Sequence, residues 1–205
     1  MTNDLGRRFS LNQTHSPARI ARVGAGLHVL FLCLFTVLPA WALSLGPAPA
    51  GYSWVEFKEV NAAYLKPDGW YQAIRSDEEV ATLFISKENM EQLGSYRTGL
   101  SVNVIRNVRQ RAGVTPSQFA QRTVAKTAAS KEILSQWATP VNGGTLNVGF
   151  RYRDPSPFPS LVIHTVLLAD DGADLLQILV FGAPESEWEN AWKHGERMMS
   201  GILVG

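Results

Sequence analysis

The feature that most restricts the fold is a pair of adjacent segments near the C-terminus with apolar side chains on both faces. Segments 160–169 and 173–181 are separated by the turn sequence Asp170-Asp171-Gly172, which predicts a β-hairpin. In each segment, apolar residues occupy both the odd and the even positions. A strand that is apolar on both faces needs a covering layer on each side. We therefore expect an α+β fold in which an antiparallel sheet lies between helices, an α/β/α sandwich.

Two further regions predict strands of the same sheet. Segments 70–74 and 80–85 form a second predicted hairpin, which follows a turn at 66–69. Segments 100–105 and 145–153 also have the length and composition of strands.

Two amphipathic helices are predicted. Thr115 as N-cap, Pro116 at the first helical position and Gln118 as capping-box partner predict a helix that runs for about six turns, through Trp137, to 139–140. The second helix is expected to begin at a capping box in 186–189 and to bury a stripe that includes two tryptophans one turn apart.

The first 42 residues resemble an export signal. Four arginines precede an apolar run at 23–38, and small residues follow at Ala40 and Ala42. The run is shorter than the roughly 20 residues that span a bilayer. We expect cleavage after Ala42, with an uncleaved membrane anchor formed by 23–38 as the alternative. In both cases the N-terminal segment engages the membrane during export, and the protein is periplasmic or lumenal. Residues 43–51 are expected to be a linker, and 52–205 one domain.

Charge and cysteine content exclude several classes of protein. A net charge of +1 argues against a general nucleic-acid-binding protein. The one cysteine, Cys33, lies in the predicted leader, so neither a disulfide framework nor a multi-cysteine metal site is expected.

The order of the predicted elements resembles that of a known family. A Pro-x-Gly-Trp turn at 67–70, a strand ending in Phe84-Ile85, a glycine-led strand, a long helix, three strands and a tryptophan-rich helix follow one another. This order is similar to that of the PsbP family, the extrinsic proteins of photosystem II, and its bacterial relatives. The resemblance implies an antiparallel sheet between helical layers, no catalysis, and an accessory role at a membrane-associated complex.

Arg151, Arg153 and Phe158 are the candidate binding residues. The two arginines lie two positions apart and therefore share one face of a strand. Phe158 follows in a proline-rich loop that is expected to be stiff, which favours docking because little entropy is lost. We expect this region to bind a protein partner at a membrane surface, while solvated strand ends are the alternative interpretation.

No catalytic residue, metal or cofactor is expected. The sequence has no G-x-S-x-G elbow and no glycine-rich phosphate loop. His164 alone does not define a metal site, although a cavity beside it would suit a small-ligand or metal carrier, the alternative function. His194 is expected to be solvated or capping, and the three carboxylates within 170–174 to be a solvated turn or, alternatively, a Ca²⁺ site.

Overall fold

The computed structural model describes residues 45–77, 80–141, 145–156 and 159–204, all of which belong to the unit Pro39–Gly205. The predictions for residues 1–42 and for Phe158 concern positions outside these residues. The elements of the described residues are β1 (Tyr52–Phe57), β2 (Ala62–Pro67), β3 (Tyr71–Ser76), β4 (Val80–Ser86), α1 (Met90–Leu93), β5 (Gly99–Arg106), α2 (Val108–Ala112), α3 (Pro116–Ala128), β6 (Glu132–Val141), β7 (Thr145–Asp154), β8 (Leu161–Asp170), β9 (Leu175–Pro184), α4 (Trp188–Ser200) and β10 (Leu203–Val204).

Seven of these strands form one antiparallel sheet in the order β3-β4-β5-β9-β8-β7-β6. The two predicted hairpins are confirmed, because β3 pairs with β4 and β8 pairs with β9, both antiparallel. The last hairpin lies in the interior of the sheet, which explains why its strands carry apolar residues on both faces.

Helix α3 packs on one face of the large sheet. Its Ala120 and Val124 contact a cluster of buried side chains from the central strands, namely Val148, Phe150, Leu167, Ala169 and Leu176. The even-numbered residues of β7 and β9 supply this cluster, so the odd-numbered residues of these strands point to the opposite face.

Helix α4 packs on that opposite face together with a second sheet of three strands, β1-β2-β10. Phe57, Tyr64 and Met198 are fully buried there against Leu83 and Phe181 of the large sheet. The predicted α+β class with a mainly antiparallel sheet is confirmed. The layers differ from the prediction in that a second sheet shares one face with the helix.

The start of α3 is confirmed and its end is not. Thr115 accepts a hydrogen bond from the backbone N–H of Gln118, whose side chain completes the capping box. The helix ends at Ala128, and 132–141 form the edge strand β6 instead of two more helical turns. A β-bulge between Ile133 and Ser135 places Ile133 and Trp137 on opposite faces of the sheet, although their spacing of four suggested one helical stripe.

The predicted capping box of α4 is wrong. Residues Glu185–Glu187 form a 3-10 turn, and Glu187 is the N-cap without a side-chain hydrogen bond. The predicted stripe is largely correct, because Trp188, Ala191 and Gly195 are buried. None of the helices in the described part of the chain is long and apolar enough to cross a membrane.

Candidate functional site

The candidate site is built on Arg151 of β7, which points toward α4. Its Cζ lies 4.9 Å from the ring centroid of Trp188 and 4.6 Å from that of Trp192. The two indoles are one helical turn apart and stack on each other with their planes 12° apart and their centroids 5.3 Å apart. A guanidinium beside two indole rings gains cation–π attraction of about 0.5–2 kcal/mol per ring. Trp188 and Trp192 therefore hold Arg151 in a fixed orientation.

Arg151 has no ion-pair partner among the residues that the structure describes. The Nε atom of Arg151 is buried, and none of these residues forms a hydrogen bond with it. Burial lowers the pKa of Arg151, and the nearby carboxylates of Glu189 and Glu196 oppose this effect. An arginine keeps its proton under all ordinary conditions. Arg151 is thus a partly desolvated cation that no carboxylate of the described chain neutralises at contact distance.

His164 lies beneath this arginine, directly opposite it on β8. The residue is 8% exposed, and its ring lies between Trp137, at a centroid distance of 5.0 Å, and Trp192, at 4.4 Å. Burial and, second, the charge of Arg151 lower the pKa of His164 to about 4. The imidazole is therefore neutral at pH 7.

Gly149 makes room for Trp137. A Cβ added to Gly149 would lie 2.0 Å from Cζ2 of Trp137, which means that the indole lies directly over the glycine. The indole then reaches His164. We call the set Trp137, Arg151, His164, Trp188 and Trp192 the aromatic cluster.

A pocket of about 340 Å³ opens beside the aromatic cluster, between α4 and the edge of the sheet. Its cationic lining residues are Arg151 and Arg153, and its acidic ones are Glu185 and Glu189. The remaining lining residues are Leu134, Ser135, Val162 and Trp188. The structure thus brings together two of the predicted binding residues, Arg151 and Arg153, in one pocket.

The two arginines differ in their surroundings. Nη1 of Arg153 lies 2.5 Å from a carboxylate oxygen of Glu132, and its Nε lies 2.7 Å from one of Glu185. These hydrogen bonds raise the pKa of Arg153. Because Arg153 is already paired, the pocket is of mixed charge, and Arg151 is its unpaired cation.

Sequence reasoning found the arginines but missed the rings that hold one of them. The i, i+4 spacing of Trp188 and Trp192 indicates a shared helical face. It does not reveal which side chain of the sheet they meet. Gly149, two residues before Arg151, is the signal that another ring approaches the backbone of this strand.

Comparisons with known proteins give structural similarities only. No protein-family model matches the chain, and no curated protein matches it at a significant level. The chain is similar to the cyanobacterial PsbP (CyanoP) of Synechocystis sp. PCC 6803, with a TM-score of 0.46 and 15% identity over 78% of this chain and 96% of that one. It is also similar to the Saccharomyces cerevisiae Ran-binding protein Mog1p, with a TM-score of 0.45 and 14% identity over 75% of this chain and 95% of that one.

A PsbP protein is thus among the structures to which this chain is similar. Similarities at these values establish neither a family nor a function for the chain.

The second histidine lies on the other side of α4. The Tyr52 hydroxyl is 2.8 Å from Nδ1 of His194, and the ring of Trp70 lies 5.4 Å from the imidazole. His194 is half-buried and also lines a surface pocket, so it is partly solvated, and its contacts with Tyr52 and Trp70 were not predicted.

The three carboxylates of the β8–β9 turn form hydrogen bonds and an ion pair with other groups of the same chain. Asp171 accepts hydrogen bonds from the backbone N–H and the hydroxyl of Ser117, at the start of α3. Asp174 pairs with Arg109, and Asp170 accepts from a backbone N–H of its own turn. Within the described residues, no three His, Cys, Asp or Glu side chains are grouped so that they could hold a metal ion.

Proposed function

We propose that this chain is an exported, non-catalytic binding protein that assists the assembly or stability of a membrane-associated complex. Its recognition site is the pocket beside Arg151, which holds an acidic group of a protein partner. The partner lies at a membrane surface, and Phe158 contributes to the same docking surface.

The proposal depends on one observation, that the guanidinium of Arg151 is held by aromatic rings without a carboxylate partner among the described residues. Trp188 and Trp192 fix its guanidinium, and no carboxylate of the described chain pairs with it. A guanidinium offers several N–H donors in one plane, which matches the two oxygens of a carboxylate. Because the donor group is already ordered, a partner's carboxylate binds it with little further loss of side-chain entropy.

The chain also offers a matched control arginine. Arg197 lies on α4 and places its Cζ 5.5 Å from the ring centroid of Tyr52, away from the pocket. Arg151 and Arg197 thus both lie over an aromatic ring, but they belong to different surfaces.

The test is affinity capture from detergent-solubilised membranes of the host with the wild type, Arg151→Gln and Arg197→Gln. We expect Arg151→Gln to lose a partner that the wild type and Arg197→Gln retain, and Phe158→Ala to retain less of it. Circular dichroism and thermal melts establish that the variants are folded. Identical partner sets for all the chains would contradict the proposal.

Export is tested separately by intact mass measurement. The chain recovered from the host envelope is expected to comprise residues 43–205. A full-length chain recovered from the cytoplasm would contradict export and leave the Arg151 pocket as a separate question.

A further inference from the structure

We propose that the acidic group recognised by the pocket is the C-terminal carboxylate of a partner polypeptide whose last side chain is apolar. This inference rests on the function proposed above, because it names the group that Arg151 binds. It predicts an end-on insertion of one residue, in contrast to contact with an acidic surface.

The distribution of charge around the pocket favours a single carboxylate. Arg153 is paired with Glu185 and Glu132, which leaves Arg151 as the cation available to a ligand. Glu185 and Glu189 both line the pocket. These two glutamates repel a run of acidic residues more strongly than they repel one carboxylate, so a single carboxylate at Arg151 is favoured.

Apolar side chains line the same small space. Leu134 is 42% exposed, whereas Val162 is 4% and Trp188 is 7% exposed. In a C-terminal residue the carboxylate and the side chain share one Cα, so an apolar group and a negative charge enter together. An internal Asp or Glu carries its carboxylate at the tip of its own side chain, so the same residue brings no separate apolar side chain. The combination of Arg151 with apolar walls therefore suits a chain end.

Ser135 supplies a hydroxyl group to the pocket beside Arg151. It lies directly opposite Arg151 in the β6–β7 register and lines the pocket. The bulge at Leu134 turns both Leu134 and Ser135 toward this space. The Ser135 hydroxyl can donate to one carboxylate oxygen while the guanidinium of Arg151 donates to the other.

The pocket is of a size for one residue. A water molecule occupies roughly 30 Å³ in the liquid, so the cavity holds on the order of ten water volumes. That is enough for a single large residue and its carboxylate, and too little for a folded element.

The experiment measures binding of short peptides by fluorescence polarisation to the protein as purified from the host. The first probe is N-labelled Gly-Gly-Ser-Gly-Leu with a free C-terminal carboxylate, and the second is the same peptide as the C-terminal amide. The third is Gly-Gly-Ser-Glu-Gly as the amide, whose one carboxylate is internal. The fourth ends in Ser as the free acid, so it keeps the terminal carboxylate but lacks the apolar side chain.

We expect the first peptide to bind and each of the other three to bind at least about tenfold more weakly, the ratio that the loss of one charged hydrogen-bond pair or one apolar contact produces. Arg151→Gln is expected to remove this preference, and Ser135→Ala to weaken binding of the first peptide by a few-fold. Arg197→Gln is expected to leave all four affinities unchanged.

The remaining outcomes separate this inference from the proposed function. Equal binding of the internal-Glu peptide, lost in Arg151→Gln, would overturn C-terminal recognition and leave the acidic-group pocket in place. Equal binding of the acid and amide forms would overturn recognition of a carboxylate. Absence of binding by all four peptides, combined with Arg151-dependent capture of a partner, would overturn C-terminal recognition alone.

Discussion

Arg151 and His164 lie directly opposite each other on β7 and β8, and the positive charge of the first helps keep the second neutral. Neither Nε of Arg151 nor Nδ1 of His164 has a hydrogen-bond partner among the described residues. Both side chains are instead held by indole rings, with Trp192 in contact with each of them. The aromatic cluster therefore carries one charge, and that charge lies at the pocket.

The first prediction is a loss of stability on acidification that arises from His164. Its pKa is about 4 in the folded chain, below its ordinary value of 6.5. Between these two values the unfolded chain binds a proton that the folded chain does not. The free energy of unfolding is therefore expected to fall as the pH drops from 6.5 to 4, by on the order of 3 kcal/mol, and to lose nothing further from this group below pH 4. Urea unfolding at a series of pH values measures the effect.

The control for this experiment is His164→Gln, which cannot take up a proton in this range. The variant is expected to be less stable at pH 7, because it disturbs the ring contacts with Trp137 and Trp192, but to show a shallower dependence on pH between 6.5 and 4. An equal slope in both proteins would show that other groups produce the acid effect.

The second prediction concerns the contact between Gly149 and Trp137. Gly149→Ala places a methyl group 2.0 Å from the present position of Cζ2 of Trp137. Because the indole must move away, the free energy of unfolding is expected to fall by about 1–3 kcal/mol, with a change in tryptophan fluorescence. Gly182→Ala is the matched control, since its added Cβ would meet its nearest neighbour at 3.9 Å.

A double variant identifies the cause. Trp137→Ala removes the ring that collides with the new methyl group, so Gly149→Ala is expected to cost much less in that background. An equal cost in both backgrounds would mean that the backbone of β7, and not the indole, requires the glycine.

The third prediction tests the cap of α3. The Thr115 hydroxyl accepts from the backbone N–H of Gln118, so Thr115→Ala is expected to lower the free energy of unfolding by about 0.5–2 kcal/mol. Thr127→Ala makes the same chemical change inside the same helix, where the hydroxyl donates to a helical carbonyl. It is expected to be neutral or slightly stabilising, because alanine is the better helix former. Chemical denaturation compares the two, and an equal loss in both would contradict a capping role for Thr115.

Local signals in the sequence were sufficient for the start of α3 and for the interior hairpin. Thr115 and Gln118 act within one turn of each other, and the two-faced apolar pattern of β8 and β9 follows from their central position. The end of α3 was not predictable in the same way. A spacing of four residues between Ile133 and Trp137 fits a helix, and it also fits an edge strand whose bulge at Leu134 sends the two side chains to opposite faces.

The candidate site was predicted only for the part that lies within one strand. Arg151 and Arg153 share a face because of strand geometry, which the alternation of the sequence reveals. Which arginine is paired depends on Glu132 of β6 and on Glu185, and the indoles that hold Arg151 come from α4. Such contacts are set by the packing of distant elements, so the sequence pattern alone did not distinguish Arg151 from Arg153.

The last prediction concerns Gly195, where helix propensity and packing oppose each other. Alanine in place of glycine favours a helix by about 1 kcal/mol. A Cβ at Gly195 would, however, lie 2.8 Å from Cδ1 of Phe181, a fully buried ring of β9. Either the Phe181 ring or helix α4 must move to admit the new methyl group. We therefore expect Gly195→Ala to lower the free energy of unfolding by about 1–3 kcal/mol, in spite of the gain in helix propensity. Phe181→Leu is expected to reduce that loss, because the smaller side chain leaves room for the methyl group.

A shift of α4 caused by Gly195→Ala would also displace Trp188 and Trp192 from Arg151, so this variant is expected to weaken binding in the pocket. Stabilisation by Gly195→Ala in urea unfolding would show that α4 moves freely on the sheet, and the fixed orientation of Arg151 would then lose its support.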